Sequence, residues 1–412
     1  MGCRVALGDV CSFYRGASVP RTRMYDKGAY LYIHYGDLYK GFDLHIDVED
    51  PAKPIPYILN NEKIKDSQRL RDQDIVYVLT SETVDDLGHA YLFNNPKEKP
   101  TISGTETTIV RVNRRDLVVP AYLNYLMSSP RFIRELRQYT RGMKVFRVHP
   151  KDVARIEIDL PQTEVQHQIV SILDAIYAKQ QANSKLNGYL EELLLAKYDK
   201  LFPVNADFTG ILSDVGTIVG GATPSKKRSE YYCSNGIGWI TPRDLSNTSD
   251  KFIAHGTDDI TDEGYASCSA KLLPKGSVLF SSRAPIGYIA IAADAVATNQ
   301  GFKSIVPKEE IGTAFIYCFL VRNKHRIADM GAGTTFPEVS GKMMKSVELA
   351  IPEQTLCAEF DFFAGPILKQ QEALERENRE LAALRDALLP KLMSGEIDVS
   401  KVDLTQLNSH LA

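Results

Sequence analysis

Apolar residues along the chain switch between two periods. Up to about residue 160 they come in short runs such as YLYI at Tyr30–Ile33 and IVYV at Ile75–Val78, broken by Gly, Pro, Asn and Asp. That pattern predicts short strands joined by turns. From Val165 the period lengthens, and Val165, Ile169, Ile172, Ile176, Leu186, Leu190 and Leu193 step mostly by threes and fours. Short runs return after Phe202. Helical spacing then resumes through Leu356, Phe360, Phe363, Ile367, Leu374, Leu381, Leu384 and Leu388. Spacing of three and four with charged flanks, as in ALERENRELAALRD, is the seam of a coiled coil. Each segment has room for about 37 residues of helix, roughly 55 Å at 1.5 Å per residue. Polar interruptions at Lys179 and Asn183, and at Gln370 and Glu377, are of the kind that fix register. Gly365-Pro366 predicts a kink or a late start for the second helix.

The two halves repeat. ARIEIDLPQTEVQHQIVSILDAI, from Ala154, matches KSVELAIPEQTLCAEFDFFAGPI, from Lys345, without a gap. Inside the blocks, YLYIHYGDLY (Tyr30–Tyr39) parallels IGWITPRDLS (Ile237–Ser246), and RDQDIVYVLTSE (Arg71–Glu82) parallels PKGSVLFSSRAP (Pro274–Pro285). GTETTIVRV from Gly104 parallels TNQGFKSIV from Thr298, and each block closes on a helical pattern. The organisation read from this is α+β. Two similar mixed α/β domains occupy 1–162 and 203–353. Each is followed by a long helix, 163–202 and 354–412 with its tail, and the two helices pair as an antiparallel coiled coil.

Composition narrows the class. The 412 residues are 44% hydrophobic and 25% charged, ordinary values for a globular protein. No apolar run approaches the roughly 18 residues that span a bilayer. Six scattered cysteines form no CxxC pair, which suggests reduced thiols in a cytoplasmic protein and no metal site. A net charge of −3 does not advertise nucleic acid, but local patches matter more than the average. There is no phosphate-loop motif, no complete dinucleotide fingerprint, no HExxH and no Asn/Asp-Pro-Pro-aromatic tetrad of the amino-methyltransferases. This predicts a chain that catalyses nothing alone.

GGATPS at Gly220–Ser225, WITPRDL, LFSSRAPIG and ATNQGFKSI give block two a clear likeness. It resembles the target recognition domain of specificity (S) subunits of type I restriction-modification systems. The whole chain follows that family's layout of two such domains, each with its own spacer helix. The resemblance implies a subunit that binds double-stranded DNA, each domain taking one half of an asymmetric bipartite target. It implies that the helices set the gap and dock two methyltransferase subunits, with restriction/translocase subunits completing the complex. S-adenosylmethionine, ATP and Mg would then belong to those partners. The alternative reading is a non-catalytic coiled-coil scaffold whose blocks bind proteins.

Phosphates call for cations and donors, and base edges for Arg, Lys, Asn and Gln. The densest basic run ends block one, where Arg141, Lys144 and Arg147 surround Gly142. Arg21, Arg23, His34 and Tyr35 are further candidates there. In block two they are Thr223, Ser225, Lys226, Lys227, Arg243, Ser282, Arg283, Asn299, Gln300, Thr334, Thr335, Lys342 and Lys345. The serines of LFSSRAPIG admit two other readings: a nucleophile activated by His255 or His325, or a structural turn. A loop shared by domains that read different targets suits the DNA backbone better than a base, so Arg283 is expected to hold phosphate.

Overall fold

The computed structural model describes residues 2–402 except 39–41, 51–52, 61, 85, 204–205, 284 and 332–336. The chain divides into two compact units, residues 1–179 with 381–412, and residues 180–380.

The first unit is built on a five-stranded sheet of β1 (Cys11–Arg15), β2 (His45–Asp47), β3 (Ile75–Val78), β4 (Ala90–Asn94) and β5 (Thr107–Val112), ordered β1-β5-β3-β4-β2. All neighbours are antiparallel except the edge pair β2 and β4, where His45 faces Leu92. Alternation explains why the sheet is buried on both faces. Ile75, Tyr77 and Leu79 point into one apolar cluster, while Val76 and Val78 point into another. The first cluster is closed by the helices Pro120–Met127 and Pro130–Arg137 and by two long helices, α1 (Thr163–Leu201) and α2 (Gln354–Ser394). Ile169, Ile172 and Leu173 of α1 and Leu389 and Leu392 of α2 lie in it. A third, smaller cluster of Ala17, Val19, Tyr32, Ile58 and Ile102 stands apart from both. It underlies Tyr30–Ile33, which pairs in parallel with Thr101–Ser103.

The second unit repeats this plan. Its sheet comprises β6 (Gly216–Gly220), β7 (Phe252–Ile253), β8 (Val278–Ser282), β9 (Ile286–Ala292) and β10 (Lys303–Pro307), ordered β6-β10-β8-β9-β7, again with one parallel edge pair. Gly238–Ile240 pairs in parallel with Val296–Thr298 over a small cluster containing Trp239, Ile260 and Ala297. The turns into the third strands correspond too. Gln73 takes φ 67° where the second unit uses Gly276 at φ 84°. On the sheet's outer face Val278, Phe280, Ile291 and Ile305 pack against the helix Thr313–Met330, against Leu194 and Tyr198 of α1, and against Phe360, Ala364 and Ile367 of α2.

Within the second unit the two long helices run antiparallel. Gln180 donates to the carbonyl of Asn378 at 3.1 Å, Asn183 to Glu377 at 2.8 Å, and Asn187 to Glu375 at 3.1 Å; Lys197 pairs with Glu359 at 2.7 Å. Numbers rising along one helix fall along the other. This agrees with the expected pairing, but the seam is phased differently. Leu186 and Leu193 are 44% and 49% exposed, while Leu194 and Tyr198 are buried. Leu384 is likewise 46% exposed, and Leu389 and Leu392 carry the contact. An α-helix drifts about 20° per heptad from a 3.5-residue repeat, and both helices must also bury a flank against a sheet. The buried stripe therefore rotates away from the heptad positions. The expectation of a late start at Gly365-Pro366 is corrected as well. The helix begins at Gln354 and runs through both residues. Gly365, Pro366 and Phe362 are all exposed, so the carbonyl that proline leaves unbonded meets water.

Candidate nucleic-acid interface

In each unit, the loop after the sheet's first strand folds onto the end of the short strand that precedes the fifth. Ala17 N–H donates to Ser103 O at 2.8 Å, and Ala222 N–H donates to Thr298 O at 2.9 Å. The preceding glycines permit this approach. A Cβ on Gly16 would lie 2.0 Å from Gly104 O, and one on Gly221 would lie 2.1 Å from Thr298 O. This is the structural sense of Gly16-Ala17-Ser18 and Gly221-Ala222-Thr223. The GGATPS motif was legible in block two, but its counterpart RGASVP was missed, although Gly-Ala-Ser/Thr followed by proline was the signal that could have found it.

Around this junction the second unit gathers several of the anticipated residues. Thr223 donates its hydroxyl to Gln300 Oε1, and Asn299 Oδ1 accepts from Gly301 N–H at 2.8 Å. The Trp239 indole donates to Ala222 O at 3.0 Å, and the Tyr232 hydroxyl to Pro224 O at 2.7 Å, which pins the loop from beneath. Arg243 stands exposed on a short helix, Pro242–Ser246. Asp244 braces that turn by accepting from the N–H and hydroxyl of both Thr241 and Thr257, at 2.6–2.8 Å. Burial raises its pKa, but these four donors outweigh burial and hold the carboxyl below the usual range. A groove of about 550 Å³ opens here, lined by Lys226, Tyr232, Trp239, Arg243, Asn247 and Asp258. Ser225 and Lys227 are exposed beside it.

Arg283 lies at the turn between β8 and β9, 38% exposed and 3.9 Å from Glu338, which also faces Lys303 at 3.6 Å. Lys342 and Lys345 project from the short helix Gly341–Lys345. Thr334 and Thr335 fall outside the described residues. Ser282 is a correction. Its side chain is fully buried and donates to Gly301 O at 3.1 Å, and its carbonyl accepts from Val339 N–H, so it cannot meet a phosphate. Ser281 is buried too, donating to Pro285 O and accepting from Tyr288 N–H. Their burial at the end of β8 favours the structural reading of these hydroxyls.

The first unit presents a different set on the same frame. Arg21 reaches Asp37 at 2.9 Å and His34 Nδ1 at 3.3 Å, and Arg23 faces Glu62 at 3.4 Å. His34 is only 9% exposed, and its Nδ1 accepts from Gly36 N–H at 3.1 Å. Burial first, then the Arg21 guanidinium, lowers its pKa and keeps the ring neutral. With His34 nearly buried, the expectation that it reads a base is corrected: it accepts from Arg21 and from Gly36 N–H, and its ring lies 4.7 Å from that of Tyr35. Arg141 and Arg147 close a tight loop through reciprocal backbone hydrogen bonds of 2.9 and 2.8 Å. Their side chains are 76% and 62% exposed, and Lys144 is exposed at the tip.

Two like units, each carrying a cation-rimmed loop junction and sharing paired long helices, define a duplicated recognition protein. Residues 4–192 and 209–360 match the model of the type I restriction-modification DNA specificity domain, and the chain belongs to that family. It is 40% identical over 180 residues to the type I restriction enzyme MjaIX specificity subunit of Methanocaldococcus jannaschii, an alignment covering 41% of each chain. It is 23% identical over 463 aligned positions to the HindI specificity subunit of Haemophilus influenzae, covering 91% of this chain and 96% of that one. Its fold resembles the crystal structure of the S subunit from M. genitalium, with a TM-score of 0.57 at 13% identity, over 95% and 96% of the two chains. No helix among the described residues is long and apolar enough to cross a membrane.

Proposed function

We propose that the chain is the DNA-reading, non-catalytic subunit of a cytoplasmic type I restriction-modification complex. Each unit binds one half of an asymmetric duplex target, and the paired helices set the unread gap. One observation carries this reading. The same loop junction is built twice, yet it presents Arg21 and Tyr35 in one unit and Lys226, Arg243 and Gln300 in the other. A shared frame with different donors suits two different half-sites.

The helices would also receive two methyltransferase subunits, with restriction subunits beyond them. The apolar stripe Leu186, Tyr189 and Leu193, 44–56% exposed on one face of α1, supports a docking role. S-adenosylmethionine, ATP and Mg would be held by those partners. The test is the affinity of the chain, assembled with its methyltransferase partners, for a duplex carrying the methylated site mapped in cells. Log affinity should fall linearly with log salt, by about 0.9 per phosphate neutralised. A flat response refutes DNA binding and leaves the protein scaffold.

A further inference from the structure

The loop closed by Arg141 and Arg147 ends in an apolar residue. Met143 is 94% exposed and Val145 is 42% exposed. The loop is nevertheless closed and anchored by backbone hydrogen bonds. Gly142 sits at φ 117°, with a virtual Cβ only 2.0 Å from Val145 O. Phe146 and Arg147 pair with Ser81 and Thr80, and Val148 N–H donates to Leu79 O at 2.9 Å, which ties the loop's base to the end of the central sheet. Phe146 packs on the main core. Arg141 and Arg155 both face Asp152, at 3.1 and 3.6 Å, and Arg147 faces Glu106 at 3.6 Å. Those acids hold the guanidinium groups in place while leaving each more than 60% exposed.

We propose that this loop is a DNA-deforming element: Met143 enters between two bases of the first unit's half-site while Arg141, Lys144 and Arg147 hold the flanking phosphates. The inference rests on the DNA-binding reading above. An unbranched apolar side chain on an anchored, cation-flanked tip matches the chemistry by which a protein unstacks a base step and bends the duplex. Charge decides the partner. The tip carries only cations, which would repel a basic protein surface and which neutralise a polyanion. The arrangement is one-sided. At the 191-residue offset of the repeat, Thr334 and Thr335 replace Met143 and Lys144, so the methionine wedge belongs to the first unit's half-site. Part of that half-site's specificity would then come from the ease with which a step unstacks rather than from base-edge contacts.

The experiment uses the full chain with its methyltransferase partners and a duplex carrying the cellular methylation site, with 2-aminopurine placed at each position of the half-site in turn. Wild type should raise the fluorescence several-fold at one position. Met143→Ala should abolish that rise and weaken binding on the order of tenfold, the worth of one buried methionine side chain, with an unchanged salt slope. Met143→Leu should retain the signal. Lys144→Ala should keep the signal and reduce the salt slope by about one. If wild type binds the duplex with no rise at any position, the wedge is wrong and the DNA reading stands. If Met143→Ala keeps the signal but no longer assembles with the methyltransferase subunits, the tip docks protein instead. Failure of wild type to bind the duplex at all overturns the DNA reading itself.

Discussion

Glu375 of α2 is 3% exposed, and its carboxylate accepts three N–H donors: Lys251 N–H at 2.9 Å, Phe252 N–H at 3.0 Å and Asn187 Nδ2 at 3.1 Å. Beside it, buried Lys251 pairs with Glu191, reaches Gln371 at 2.6 Å and lies 4.5 Å over the Tyr317 ring. This network fastens edge strand β7 of the second recognition sheet to both helices. Glu375→Ala leaves three donors without an acceptor, each worth about 1–3 kcal/mol when buried. Burial, the largest influence, raises the carboxyl's pKa, so the variant also recovers some of the cost of burying a charge. The net loss is about 2–4 kcal/mol. For a unit of about 200 residues, that lowers Tm by roughly 5–12 °C. Differential scanning calorimetry of the full chain reads it directly, and a shift below about 2 °C refutes the assigned network.

The pH dependence provides a second check. A carboxyl whose folded pKa lies above its ordinary 4.5 binds more protons folded than unfolded. Its contribution is therefore favourable below about 4.5 and declines as pH rises through the raised value. Glu375→Gln cannot ionise, so the Tm advantage of wild type over that variant should narrow between pH 4 and 7. A widening gap contradicts the sign.

Three further outcomes are expected. Arg283→Ala should weaken duplex binding roughly tenfold for all sequences, through one lost phosphate contact; methylation mapping that finds a changed target contradicts this. Ser282→Ala should cost about 1–2 kcal/mol in urea unfolding and leave the target unchanged, because its buried hydroxyl bonds inward, to Gly301 O and Lys303 Nζ. Exchanging residues 1–160 for another recognition domain should alter one half-site, and inserting a heptad in each helix, about 10 Å, should widen the gap by about three base pairs at 3.4 Å each; mapped sites that change in both halves, or keep their gap, refute the modular ruler.

The helices and the duplication were legible because they rest on periodicity, which follows from backbone geometry alone. The seam's phase was not. Gln371 and Glu375, rather than Gln370, face inward because a particular edge strand offers them Lys251 and two backbone amides. Nothing local to α2 encodes that partner. The loop site was half legible. The expected hydroxyl-rich loop is a loop only in part: Ser282 ends strand β8 and is buried, while Arg283, one residue later, stands part-exposed in the turn. That difference depends on which way a strand end points over the Gly301 backbone. His34 was misjudged for the same reason, since its neutrality comes from the fold's burial and from Arg21, which lies 13 residues upstream.

The small clusters under Tyr30–Ile33 and Gly238–Ile240 bear on how such a protein changes over generations. Tyr32, Ile58 and Ile102, like Trp239, Ile260 and Ala297, are packed separately from the main cores that carry most of the buried apolar residues. Damage in a reading segment is thus contained where it occurs, and the sheet's stability is not drawn down by it. Substitutions around Arg21 or Arg243 would therefore strain one small cluster and leave the packing of the central strands in place. Compartmented packing of this kind makes these outlying segments, rather than the sheets, the energetically cheaper place for the molecule to vary.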